Sequence, residues 1–283
     1  MTLFTRAVDP AHLAPGEELV PGYEVVRFMR RGGRLDTYDV HSRDRDSRCV
    51  VKVVRPDRED EDHCRAALLR EGRLLRDLAH PHLVRVYEVI EDPRPAMVME
   101  TLTGATLAAV IEESPLGPAD TALLGRQLAS ALGFLHRRGW LHLDVKPSNV
   151  VVQAGRAVLI DLSLVSPPGD GRPHAGTQGY RAPEQMTGRG LTPAADVFGL
   201  GITLGEALTG DLAYGDEDRW GTGLSSRTAA WFFRRRLAKA PGTLSDLVLA
   251  CVDPDPASRP ALAEVCTVLD SVLAAAETPS LGG

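Results

Sequence analysis

The chain has 283 residues, with 32 Lys and Arg against 38 Asp and Glu, a formal net charge of −6, and 43% hydrophobic and 25% charged residues. That balance fits a globular chain able to bury one large core or two modest ones, and it excludes general disorder, a collagen-like repeat and a mini-protein. Mild acidity without a polybasic tract also argues against nucleic acid and anionic lipid as partners.

The four cysteines, Cys49, Cys64, Cys251 and Cys266, are scattered without a Cys-x-x-Cys pair and read as reduced, small hydrophobes. Residues 1–21 mix charges with prolines and lack the apolar region of a signal peptide. No run of about 18 apolar residues occurs, so no membrane segment and a cytoplasmic location are expected.

In chain order, strands are predicted at Tyr23 to Phe28, Thr37 to Val40 and Cys49 to Val54, separated by the Gly32-Gly33 turn and a polar stretch. From His63 to Ala79, Cys64, Ala67, Leu68, Leu75 and Leu78 recur at three- and four-residue steps, the stripe of an amphipathic helix. Strands at Leu83 to Ile90 and Ala96 to Glu100 follow. Beyond Thr103 the pattern becomes helical, most clearly at Asp120 to Arg137, Ala194 to Thr209 and Pro260 to Ala275, interrupted by a hairpin of Asn149 to Val152 and Ala157 to Ile160 joined at Ala154-Gly155. This gives an α+β, bilobal expectation: an N-terminal extension (1–20), a sheet-rich lobe with one main helix (21–102), a larger helical lobe (103–277) and a tail (278–283), the extension and tail being frayed.

Ionisable groups inside apolar patterns are the informative residues, because a buried charge without a partner is expensive. Lys52 interrupts the β-branched run Val50 to Val54, and Glu71 lies within the apolar stripe of the first helix. A helix packed on the sheet could pair them, leaving the ammonium able to reach an anionic ligand; a snorkelling lysine and an edge glutamate fit these two residues equally well. Asp161 ends the run Ala157 to Ile160, and Asp144 sits between Leu143 and Val145 with Lys146 and Asn149 beside it. Either aspartate alone could be a turn former. Flanking one hairpin, they suggest hard oxygen ligands for Mg²⁺ beside a carboxylate that can accept a proton, hence a phosphorylated ligand.

From about Tyr23 to about Leu273 the chain resembles the bacterial eukaryotic-like (Hanks-type) serine/threonine protein kinases. The resemblance rests on His142-Leu143-Asp144-Val145-Lys146-Pro147-Ser148-Asn149, which looks like the catalytic loop, and on Asp161-Leu162-Ser163 at the metal-binding position. It continues through Gly176-Thr177-Gln178-Gly179-Tyr180-Arg181-Ala182-Pro183-Glu184 at the end of the activation loop, through Asp196, and through Arg259. The order and spacing of these segments are far more specific than any one of them.

The resemblance implies an ATP- and Mg²⁺-dependent protein serine/threonine kinase, with Mn²⁺ as an alternative ion. Lys52, oriented by Glu71, would hold the ATP phosphates; Asn149 and Asp161 would hold the metal; Asp144 would orient and deprotonate the acceptor hydroxyl; Lys146 would neutralise the transferring phosphoryl group. Gly32, Gly33, Thr37, Val50, Val151 and the backbone of Glu100 and Leu102 would line the nucleotide site, and Thr177 would frame the acceptor. Asp196 would brace the catalytic loop, and Arg259 would pair with Glu184. The implied partner is a protein with a Ser or Thr acceptor; activation by homodimerisation or by another protein is also expected.

The sequence departs from the family in four places. Arg30-Arg31-Gly32-Gly33-Arg34 keeps only the middle glycine of the phosphate loop in place, which suggests that Arg30, Arg31 or Arg34 supplies charge in place of backbone contacts. Thr37 and Val50 replace valine and alanine over the adenine slot. Leu143 stands where many kinases have an arginine that holds a phosphorylated activation loop, so activity is expected not to depend on that phosphorylation. Ser163 occupies the usual glycine position. A pseudokinase that keeps the fold and acts by docking is the competing reading, favoured by the altered phosphate loop and adenine slot. Trp231-Phe232-Phe233-Arg234-Arg235-Arg236 reads as a helix burying aromatics and solvating arginines rather than as a docking face for an acidic substrate or partner, and His80 and His82 read as structural.

Overall fold

The computed structural model describes residues 12–211, 234–238 and 240–277, and the chain divides into two compact units. The first comprises residues up to Ala79 and Val84–Leu102, the second His80–Leu83 and the chain from Thr103 onward. Trp231 to Phe233, residues 1–11 and the tail 278–283 lie outside the described residues.

In the first unit an antiparallel sheet contains β1 (Glu18–Val20), β2 (Tyr23–Arg31), β3 (Leu35–Ser42), β4 (Ser47–Val54), β5 (Val86–Ile90) and β6 (Ala96–Glu100), ordered β1-β2-β3-β4-β6-β5. Residues facing each other across an antiparallel pair point to the same side. Thr37 opposite Lys52 and Lys52 opposite Met97, with Val50 opposite Met99, therefore put Thr37, Val50 and Lys52 on one face. Tyr38, Val51 and Val98 take the other, where Val25, Val40, Cys49 and Val53 close a core with almost no exposure. Helix α1 (Asp62–Asp77) buries Cys64, Leu68, Leu69, Glu71, Gly72 and Leu75, the stripe that the spacing predicts. Residues 12–20 are not frayed: β1 pairs with β2, and Leu19 and Val20 are buried in the core.

The second unit holds α2 (Leu107–Glu113), α3 (Pro118–His136), α4 (Pro183–Thr187), α5 (Pro193–Thr209), α6 (Gly242–Cys251) and α7 (Leu262–Glu277), with a small sheet of β7 (Ala105–Thr106), β8 (Val150–Gln153) and β9 (Arg156–Leu159). The start of α5 follows from local chemistry: the Thr192 hydroxyl caps the Ala194 N–H, and Pro193 takes the first turn, where its missing N–H costs nothing. Along α3, Leu128, Leu132 and Leu135 are fully buried at helical spacing. Each contributes roughly 1.5–3 kcal/mol of apolar burial. The β8–β9 turn places Ala154 and Gly155 at φ 49° and 75°, the left-handed pair that a two-residue hairpin requires. His82 Nδ1 bonds the Ala157 carbonyl at 2.8 Å and His80 bonds Ser130 at 3.3 Å, so both histidines are structural within this unit. Arg234, Arg235 and Arg236 are exposed. Among the described residues no helix is long and apolar enough to cross a membrane.

Candidate active site

In the second unit the segment entering β8 folds around Asp144. One carboxylate oxygen accepts the Thr177 N–H at 2.8 Å, and the other accepts Asn149 Nδ2 at 3.0 Å and Lys146 Nζ at 2.9 Å. Asn149 Nδ2 also donates to the Asp144 carbonyl at 3.0 Å, and Lys146 Nζ donates to the Thr177 hydroxyl. A carboxylate has about four lone-pair positions and an ammonium three N–H donors. After these contacts Asp144 retains room for one further donor and Lys146 for one further acceptor. Four of the residues singled out in the sequence thus form one network. Asp161 stands just past β9, its carboxylate accepting the Ser163 N–H at 2.9 Å.

Beneath that network lies a second, largely buried one. Asp196, in the first turn of α5, accepts the His142 N–H at 2.8 Å, the Leu143 N–H at 2.7 Å and His136 Nε2 at 2.7 Å. Burial opposes its charge, but the hydrogen bond and charge of His136, with the backbone donors, outweigh it and hold the carboxyl below its ordinary pKa. Burial likewise pushes the pKa of His142 down. Leu143 sits at φ 64°, a left-handed conformation that costs a non-glycine residue roughly 1–2 kcal/mol. Two anchors hold it there: Asp196 on its N–H, and Gln185 Nε2 on its carbonyl at 2.8 Å. Gln185 also donates to the Ala175 carbonyl at 3.0 Å, while its own Oε1 takes the Ala182 N–H at 2.9 Å.

Arg259 engages Glu184 in a fork, 2.7 and 3.0 Å, and spends its remaining N–H groups on the carbonyls of Asp253, Ala194 and Pro254. Its side chain has no exposure and stacks over Phe198. Tyr180, one of the few hydroxyls between Asp161 and Glu184, donates to Glu206 at 2.6 Å; burial, then this bond, raises its pKa.

In the first unit, Lys52 Nζ meets Glu71 Oε1 at 3.2 Å, both side chains nearly buried at 9% and 5% exposure, so the ion-pair alternative holds over the snorkelling one. Thr37 and Val50, on the same face as Lys52, are half-buried. Gly32 and Gly33 form the tip of the β2–β3 hairpin, where the Gly32 N–H donates to the Leu35 carbonyl at 2.8 Å. A Cβ on Gly33 would meet nothing within 4 Å. Arg55 reaches back to the Gly32 carbonyl at 3.1 Å and ties the tip to the end of β4. Arg31 is forked onto the fully buried Asp36 at 2.8 and 2.7 Å, so of the three loop arginines it serves the sheet. The Glu100 N–H donates to the Arg85 carbonyl at 2.9 Å. Leu102 closes the first unit, and Val151 is buried on β8 opposite Val158.

Residues 23–268 match the family model of the protein kinase domain. The chain belongs to the protein kinase family. Its relatives include the serine/threonine-protein kinase PknD of Mycobacterium tuberculosis, 34% identical over 200 residues that cover 68% of this chain and 30% of PknD. PkaA of Streptomyces coelicolor, also a serine/threonine-protein kinase, is 35% identical over 222 residues, 75% of this chain and 40% of PkaA. The chain thus spans less than half the length of these two relatives. Among solved structures, the kinase domain of Mycobacterium tuberculosis PknI overlays with a TM-score of 0.71 at 24% identity, covering 92% of this chain and all of that one.

Within this kinase chain three polar residues carry parts of the site that the sequence reading missed. Gln185, His136 and Asp36 are each held by partners distant in sequence or across a hairpin. For Gln185 a signal existed: it directly follows Glu184 in an otherwise matched motif, yet an amide has no sequence pattern that announces burial. The donor chemistry near Asp144 suits a hard cation. Both amide hydrogens of Asn149 face Asp144, which leaves its oxygen as the atom offered elsewhere, and Asp161 adds a carboxylate; Mg²⁺ selects oxygen ligands of this kind.

Proposed function

We propose that the chain is an ATP-dependent protein serine/threonine kinase, and the observation that carries this is the partly exposed Asp144 network, in which the Thr177 N–H, Asn149 and Lys146 position a carboxylate that has acceptor capacity for one further donor. A Ser or Thr hydroxyl donating to that position would be oriented for in-line attack, and Asp144 would take its proton as the O–P bond forms. The Thr177 N–H and Asn149 fix the carboxylate, so positioning is set before substrate arrives. Lys146, with one donor uncommitted, would stabilise charge on the transferred phosphoryl group, and the Thr177 hydroxyl keeps that ammonium beside Asp144. Mg²⁺ held by Asn149 and Asp161 would neutralise phosphate charge. Lys52, oriented by Glu71, would bind ATP phosphates, and the open space at Gly33 supports phosphate approach to the hairpin tip. Thr37, Val50 and Val151 would contact adenine, and the backbone of Glu100 and Leu102 would meet the ring edge. Burial of Leu143 and the Gln185 clamp support activity without phosphorylation of the activation segment.

The competing scaffold reading draws on the short hairpin tip, latched by Arg55. A γ-phosphate transfer assay with Mg²⁺, then Mn²⁺, separates the two. Asp144→Asn should lower turnover by roughly 10²–10⁴-fold, and Lys52→Met should likewise cut transfer sharply. Wild-type protein that transfers nothing, yet is thermally stabilised by ATP, would be a nucleotide-binding scaffold.

A further inference from the structure

Three donors of different chemistry meet at the start of α1. Glu61 is the residue before the helix, and His63 and Cys64 lie in its first turn. Cys64 Sγ is 3.2 Å from Glu61 Oε2 and 3.5 Å from His63 Nε2, and His63 Nε2 is 3.4 Å from the same Glu61 oxygen. A tetrahedral Zn²⁺, bonded at about 2.0–2.1 Å to nitrogen and oxygen and about 2.3 Å to sulfur, spaces such donors about 3.4–3.6 Å apart. The triangle already has nearly that size.

The Glu61 carboxylate caps no helix N–H; its Oε2 faces the thiol and the imidazole, and both of its oxygens also meet Arg58.

We propose that Glu61, His63 and Cys64 form a Zn²⁺ site with a fourth position open to solvent. The mixed sulfur, nitrogen and oxygen set suits Zn²⁺ better than Mg²⁺, which demands oxygen. His63 and Glu61 are exposed enough, at 69% and 35%, to admit the ion, while Cys64 is buried beneath them. Binding breaks the Cys64 S–H bond and forms a Zn–S bond, with one proton released to solvent and no change of oxidation state. Arg58 contacts both Glu61 oxygens at 3.2 Å; on loading it keeps Oε1 while Oε2 goes to the metal. The site stands apart from the phosphotransfer reading, but it lies two helical turns before Glu71, so an ion there would fix the start of the helix that carries the Lys52 partner.

The test is titration of the full chain with Zn²⁺, and with Co²⁺ as a spectroscopic probe. One equivalent should bind with thiolate-to-Co²⁺ charge-transfer absorption, and proton exchange should slow over residues 58–66. His63→Gln, at an exposed position that leaves the fold intact, and Cys64→Ser should each weaken Zn²⁺ binding at least tenfold. Absence of the thiolate band, or Zn²⁺ affinity unchanged in both variants, would overturn the proposal.

Discussion

Two polar networks of the second unit differ in how completely they are satisfied. Around Arg259 every guanidinium N–H has a partner and the side chain is sealed from water; around Asp144 the side chains keep 13–17% exposure, with one acceptor and one donor position uncommitted. A fully paired buried charge contributes rigidity, because removing its partner strands it in low dielectric. A partly exposed network of the Asp144 kind would hold groups in place while still letting a substrate donate to it. The same residue chemistry therefore serves stability in one place and, under the proposed function, reaction in the other.

That contrast can be broken by mutation. The largest effect is expected from Arg259→Ala, which leaves Glu184 and three carbonyls unmatched and should cost about 3–5 kcal/mol in chemical denaturation. Gln185→Ala strands the Leu143 and Ala175 carbonyls and should cost about 1–3 kcal/mol. Asp144→Asn, by contrast, should move stability by less than about 1 kcal/mol while cutting transfer roughly 10²–10⁴-fold. If Asp144→Asn unfolded the protein as readily as Arg259→Ala, the distinction between bracing and reacting networks would be lost.

The smallest and sharpest expectation concerns acid. The Asp196 carboxyl has a folded-state pKa below its ordinary 3.8. Its contribution is fully present above that value and disappears as pH falls through the lower folded value. A denaturation series from neutral pH to below pH 4 should show wild-type stability dropping in that acid window, and Asp196→Asn, already weaker at neutral pH, should have a flatter acid limb.

Much of the fold was legible in the amino-acid order. The strand at Ala96 to Glu100 has the bounds that the apolar run suggests, and α1, α3, α5 and α7 fall within two residues of the periodicity at every end. Those segments are long and their burial follows one period, so local pattern suffices. Less legible were β1, whose three residues carry no period, and the extension of β2 to Arg31, where Arg31 pairs with Asp36 across the hairpin and the polar residues disguise the strand.

The amino-acid order by itself determined which residues are chemically out of place: Lys52 among valines, Glu71 in an apolar stripe, and Asp144, Asn149 and Asp161 around a hairpin. Only the tertiary structure decided what each anomaly is joined to. Lys52 finds Glu71 because a helix packs on one face of a sheet; Leu143 holds a strained conformation because Asp196, Gln185 and their neighbours arrive from distant segments. Periodicity is a property of neighbours along the chain, whereas a buried polar group is satisfied by whatever the fold brings within about 3 Å, and that distance is set by packing.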